Sequence, residues 1–183
     1  MIRNIFANHG ITITEEQEQK LNQYYDLLID WNNKINLTSI VEYEEVIWKH
    51  FLDSAFFVSC DKVDLKEKKK VLDLGTGAGF PGMVLAILCP DYEFVLADSL
   101  NKRIEFLKVV INRLQIHNVS VIHGRAEELG RDENFRNQFD YVVSRAVAEL
   151  PVLLEYCIPF VKKGGYFVSY KSRRLDEEIE NAE

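Results

Sequence analysis

The chain has 183 residues, 47% of them hydrophobic and 28% charged, with a formal net charge of −7 at pH 7. That length supports one substantial core plus an extension and excludes two comfortable domains, and the charge excludes a uniformly basic coat for nucleic acid. The arginines are unevenly placed: of nine, only Arg3 precedes Arg103, and Ser99 to Arg174 carries 13 Lys/Arg against 8 Asp/Glu, a local excess of 5 that leaves room for one cationic face.

Met1 to Ala7 is apolar for only two short steps and no apolar run approaches the length of a membrane span, so a cytoplasmic chain with no membrane partner is expected. Cys60, Cys89 and Cys157 form no CxxC pair and read as reduced, mostly buried thiols. His9, His50, His117 and His123 show no metal-ligand spacing with each other or with the cysteines, so no metal is expected.

The first helix starts at a capping box, Thr14 with Gln17, and Leu21, Tyr24, Tyr25, Leu28 and Trp31 follow at helical spacing as one apolar stripe. Asn32, Asn33, Asn36, Thr38 and Ser39 break it, because short polar side chains compete for backbone hydrogen bonds. Ser39 with Glu42 reads as a second capping box, opening a helix from about Val41 to Val58 with Val46, Ile47, Phe51 and Ala55 inward. His50 and Asp53 lie three apart on it, a spacing that suits a local hydrogen-bonded pair. Residues 1–64 thus form a helical extension packed on the core, and residues 65–183 the core itself.

After a charged linker the pattern alternates short strands and helices, the signature of a parallel sheet covered on both faces. Strands are expected at Lys70–Leu74, Tyr92–Asp98, Val119–His123, Phe139–Val143 and Gly165–Lys171. Helices are expected at about Pro81–Cys89, Leu100–Leu114 and Leu150–Val161, with another from near Arg174. Between the first strand and helix stands KVLDLGTGAGFPG, Lys70 to Gly82, in which Gly75, Gly77 and Gly79 alternate with small residues. Such a turn allows φ > 0 and brings N–H groups close to a ligand, a nucleotide-type site.

Right-handed crossovers bring every strand's C-terminal end to one edge, where ligand groups gather. Asp98 closes the second strand 19 residues after Gly79, the distance at which a carboxylate accepts from ribose hydroxyls, and it also suits the cap of the next helix. Gly124 to Glu128, after the third strand, can reach an adenine ring, and Arg145, after the fourth, can meet a carboxylate or phosphate. GAGFPG fits G-x-G-x-x-G, which alone leaves a dinucleotide open. Asp73, inside the strand before the first glycine, favours a ligand with an amino group and no phosphate there, as in S-adenosylmethionine.

WNNKINLT (Trp31–Thr38), KHFLDS (Lys49–Ser54), VLDLGTGAGFPG (Val71–Gly82), ADSLNKRIEFL (Ala97–Leu107), RAEE (Arg125–Glu128) and FDYVVSRAVAEL (Phe139–Leu150) resemble, in order, blocks of the small-subunit ribosomal RNA guanine-N7 methyltransferase family, also called glucose-inhibited division protein B. The resemblance implies an α/β fold, the Rossmann-like sheet of class I S-adenosylmethionine-dependent methyltransferases with an N-terminal helical extension. It implies methyl transfer to N7 of guanine 527, in the 530 loop of bacterial 16S rRNA, with 16S rRNA or the small ribosomal subunit as partner; a monomer is expected. Carried over by position, Gly75, Phe80, Asp98, Ser99, Leu100, Ala126, Glu127 and Arg145 would line the cofactor site, beside Asp73, Gly77 and Gly79 read from the glycine turn itself. Asn36, His50 and Asp53 are candidates for the base pocket, and Lys102, Arg103, Arg145, Lys171 and Arg173 for phosphate contact. No Ser/His/Asp or Cys/His arrangement stands out, and none is required, since N7 carries a lone pair and no proton.

The sequence departs from the family pattern at its end. Ser172 stands where the family tends to have glycine, and a C-terminal β-hairpin is expected to be lacking after Glu183, with lower stability and activity than a longer version. Three other readings stay open: a non-catalytic cofactor- or RNA-binding remnant, an NAD-dependent oxidoreductase, and a methyltransferase acting on a small molecule, against which the N-terminal blocks speak.

Overall fold

The computed structural model describes residues 1–145 and 148–170. The expected helix near Arg174 and the candidates Lys171 and Arg173 lie outside the described residues.

The sheet is formed by β1 (Lys70–Leu74), β2 (Glu93–Asp98), β3 (Val119–His123), β4 (Phe139–Arg145) and β5 (Val161–Tyr170), in the order β3-β2-β1-β4-β5 with every pair parallel. The order reverses between β1 and β4, so the glycine turn after β1 and Arg145 at the end of β4 stand side by side at the switch point. β5 begins at Val161 rather than Gly165, and the preceding helix gives way at Cys157 to a tight turn over Ile158–Phe160 that contains Pro159.

One face of the sheet carries α1 (Ile2–Asn8), α2 (Glu15–Ile35), α5 (Gly82–Leu88) and α6 (Asn101–Leu114), whose apolar residues join Val71, Leu96 and Val143 in the larger core cluster. The other face carries α7 (Ala126–Leu129) and α8 (Leu150–Cys157), with Leu153, Cys157 and Phe160 against Leu72, Val95 and Val142. Both sheet faces are covered, which is why β1, β2 and β4 read as nearly continuous apolar runs.

The Thr14 capping box forms as expected: Thr14 Oγ1 accepts from the Gln17 N–H at 3.1 Å, and Gln17 Oε1 from the Thr14 N–H at 2.9 Å. Gln17 Nε2 also donates to the carbonyls of Ile87 and Leu88, at 3.0 and 3.2 Å, so the start of α2 satisfies the end of α5. The second capping box does not form: α3 (Tyr43–Val46) starts after Glu42 with no side-chain cap. Ser39 is left in the loop because Asn32 shapes it, Oδ1 accepting from the N–H groups of Leu37 and Thr38 at 2.6 and 2.8 Å. α3 runs on through a π-helical stretch (Ile47–Leu52) into α4 (Asp53–Ala55) and a 3₁₀ turn (Phe56–Ser59). The wider π turn lets His50, Phe51 and Leu52 all be buried in succession.

Candidate functional site

The glycine turn is built around two carboxylates. Asp73 is fully buried; its Oδ2 accepts from the Thr76 hydroxyl and the Gly82 N–H, each at 2.7 Å, tying the strand to the turn and to the start of α5. Its Oδ1 is buried with no hydrogen-bond partner. Burial pushes the carboxyl up to about 6, and the bonds from Thr76 and Gly82 offset part of that. Asp73 therefore acts first as the brace of the turn.

Asp98 closes β2 and is 2% exposed. Its Oδ2 accepts from the Gly77 N–H at 2.9 Å, its Oδ1 from the Leu100 N–H at 2.9 Å, and Arg103 Nη1 approaches Oδ2 at 3.2 Å. The helix cap proper is Leu100, so Asp98 supports the entry to α6 from two residues upstream. Arg103, expected on phosphate, instead pairs here with Asp98, while Lys102 is exposed at the start of α6.

Five of the turn's N–H groups are spent inside the protein instead of facing a ligand as the sequence suggested. Those of Gly75 and Thr76 donate to the Ala97 carbonyl, that of Gly77 to Asp98, and those of Gly79 and Phe80 to the Thr76 carbonyl. Gly79 is required by close approach: at φ +99°, a Cβ would collide with the Tyr24 hydroxyl and lie 2.9 Å from Leu107 Cδ2. A Cβ at Gly77, at φ +60°, would meet nothing within 4 Å, so the turn offers an open flank there.

Beside the turn lies a cleft of about 260 Å³ lined by Leu74, Gly75, Asp98, Ser99, Ala126, Glu127 and their neighbours. The sequence candidates from β1, β2 and α7 thus come together. Leu100 follows the cleft's Ser99 and is half exposed. Tyr156 of α8, which sequence reasoning missed, also lines the cleft; the Glu127 carboxylate beside it, to which it hydrogen-bonds, raises its hydroxyl pKa. Nothing in its local pattern marks it, since α8 brings it to α7 across the sheet face.

Arg145 joins the N-terminal extension to the sheet. Its Nη1 donates to Asp53 Oδ2 at 2.9 Å and to the Lys49 carbonyl at 3.2 Å, its Nη2 lies 3.1 Å from His50 Nδ1, and its guanidinium sits 5.2 Å from the Phe80 ring centre. His50 and Asp53 therefore share Arg145 instead of pairing with each other. The His50 ring stacks on Phe80 at 4.4 Å and 17°. Burial, then the Arg145 charge, lower its pKa to about 4, so the imidazole is neutral at pH 7. Asn36 ends α2 in the left-handed conformation, exposed, with φ 46°. Among the described residues no group of three or more His, Cys, Asp or Glu could hold a metal ion.

The family model for rRNA small subunit methyltransferase G matches residues 17–183. The chain belongs to that family. Relatives named ribosomal RNA small subunit methyltransferase G include one from Lachnoclostridium phytofermentans, 55% identical over 95% of this chain and 71% of its own length. Another, from Alkaliphilus metalliredigens, is 53% identical over 95% and 72%. Among solved structures, a SAM-dependent methyltransferase from Aquifex aeolicus aligns with TM-score 0.56 at 18% identity, over 77% of this chain and 82% of that one. A precorrin-6y C5,15-methyltransferase from Geobacter metallireducens aligns with TM-score 0.53 at 15% identity, over 71% and 66%. At such identities the likeness shows the fold, the Rossmann-like class I methyltransferase sheet.

Proposed function

We propose that the chain transfers a methyl group from S-adenosylmethionine to N7 of a guanine in small-subunit rRNA, guanine 527 of the 530 loop by resemblance to its family. The observation that carries the cofactor reading is the inward use of the N–H groups of Gly75, Thr76, Gly77, Gly79 and Phe80, together with Asp73 and Asp98 beneath the turn. A pyrophosphate needs free N–H donors and no nearby anion, which counts against a dinucleotide. A sulfonium cofactor with an ammonium group is favoured by the same two carboxylates. The cleft residues fit it: Asp98 would take the ribose, Ser99, Ala126 and Glu127 the adenine, and Gly75 the start of the remainder. Gly77, Gly79, Phe80, Leu100 and Arg145 stand outside that lining and are assigned to the cofactor by resemblance alone, with Asp73 and its unpartnered Oδ1 under the turn.

When bound, the cofactor supplies an electrophilic methyl carbon. The chain's task is to align the base, exclude water and tolerate positive charge on the purine. Three titratable groups at this edge are already committed, Asp53 to Arg145, Asp98 to Gly77 and Leu100, and neutral His50 to Arg145 and Thr38. That suits attack by a nitrogen with no proton to remove. Asn36, His50 and Asp53 line the base side and exposed Lys102 the phosphate side, with Lys171 and Arg173 as further phosphate candidates, while Arg103 is held by Asp98. In this reading residues 1–64 are an extension of one catalytic unit that works as a monomer, in the cytoplasm, where its RNA is. Calorimetric titration tests the cofactor choice: saturable binding of S-adenosylmethionine without NAD binding is expected, and the reverse would overturn it.

A further inference from the structure

Thr38 lies half-buried in the loop between α2 and α3. Its position is held twice, by its own N–H on Asn32 Oδ1 at 2.8 Å and by Oγ1, which accepts from the Ile40 N–H at 3.1 Å. A second group meets the same oxygen, His50 Nε2 at 3.0 Å. The other end of that ring fixes the direction of this bond. Arg145 Nη2 is 3.1 Å from His50 Nδ1, and a guanidinium only donates, so Nδ1 accepts. The neutral ring then carries its hydrogen on Nε2 and donates it to Thr38.

A hydroxyl has two acceptor sites and one hydrogen. Both acceptor sites of Thr38 are taken, by Ile40 and His50. Its hydrogen is left for a third group, and Thr38 is only partly buried. Because His50 stacks on Phe80, this donor stands one ring away from the glycine turn.

N7 is an acceptor with a lone pair in both guanine and adenine, so reactivity at N7 does not separate the purines. The neighbouring position does: guanine presents the O6 acceptor and adenine the N6 amino donor. An ordinary threonine could rotate to suit either; the chain Arg145 to His50 to Thr38 removes that freedom. We infer that Thr38 is a specificity residue whose hydroxyl donates to guanine O6 and rejects an amino group at that position. The inference rests on the reading of the chain as a guanine-N7 methyltransferase.

The test uses small-subunit rRNA in which the target guanine is kept or replaced by 2,6-diaminopurine, which retains N7 and exchanges O6 for an amino group. Wild-type protein is expected to favour guanine by about 10- to 100-fold in kcat/KM. Thr38→Val should lose about 10- to 100-fold on guanine and bring the ratio of the two substrates towards one, while Thr38→Ser keeps the ratio. S-adenosylmethionine affinity, measured by calorimetry, should stay within about twofold in both variants, which a general loss of structure would not allow. Equal wild-type rates on the two RNAs would overturn the inference without any variant. Guanine methylation with an undiminished ratio in Thr38→Val would overturn the role of Thr38 alone. Absence of N7 methylation by the wild-type protein would overturn the underlying reading and the inference with it.

Discussion

The hydroxyl of Tyr24, in α2, donates to the carbonyl of Ala78 in the glycine turn. Tyr24 is fully buried, stacks on Phe51 and Phe106 and packs at a tilt on Phe80. Burial holds its pKa well above the ordinary value, so it remains a donor at any working pH. The N-terminal extension thus supports the turn that the cofactor reading depends on.

Removing that donor strands a buried carbonyl. Tyr24→Phe is expected to cost about 1–3 kcal/mol in urea unfolding and to weaken S-adenosylmethionine binding in calorimetry. Unchanged values in both would show that α2 does not brace the turn.

The two central glycines should respond differently to alanine. At Gly77 only the positive φ is penalised, about 1–2 kcal/mol, and the new methyl faces open space, so cofactor binding should suffer more than stability. At Gly79 the new Cβ also meets Tyr24, Leu107 and Met83 Cβ, the last at 3.0 Å, and a loss of about 2–5 kcal/mol is expected. Parallel denaturant curves would check the order.

Asp73 and His50 pull the pH dependence of stability in opposite directions. Burial raises Asp73 from 3.8 to about 6, so the folded state binds its proton more tightly; that stabilisation is present below about 4 and is lost as pH rises towards 6. Burial and Arg145 lower His50 from 6.5 to about 4, so its contribution is present above 6.5 and is lost as pH falls towards 4. Relative to Asp73→Asn, the wild-type protein should lose about 2–3 kcal/mol between roughly pH 4 and pH 7. Relative to His50→Gln it should gain stability over the same range. Urea titrations at each pH would expose a wrong sign.

Arg145 is the shared partner of Asp53, Lys49 and His50. Arg145→Ala should cost about 1–3 kcal/mol and let the His50 pKa rise part of the way to its ordinary value, since burial remains. An NMR titration of the imidazole reads this directly; no movement would mean that the guanidinium does not sit against the ring in solution.

The strands were legible because buried parallel strands leave apolar runs bounded by turn residues, and the Thr14 box, Asp98 and the cleft residues followed from order along the chain. α1 went unread although Ile2, Ile5 and Phe6 are spaced for a helix, because seven residues carry too little periodicity to stand out. The start of α3 was misplaced because Asn32, seven residues before Ser39, decides the loop's path. The cluster of Thr38, His50, Asp53 and Arg145 was the least legible. Its partners lie up to 107 residues apart, and only the docking of the extension on the sheet edge makes His50 answer to Arg145 rather than to Asp53.

The most direct measurement is transfer of labelled methyl from S-adenosylmethionine to 16S rRNA or small subunits from a strain lacking the enzyme, with the product mapped to a single base and atom. The account predicts label on one guanine of the 530 loop, at N7. Label on another atom, or label absent from the RNA despite tight cofactor binding, would contradict it.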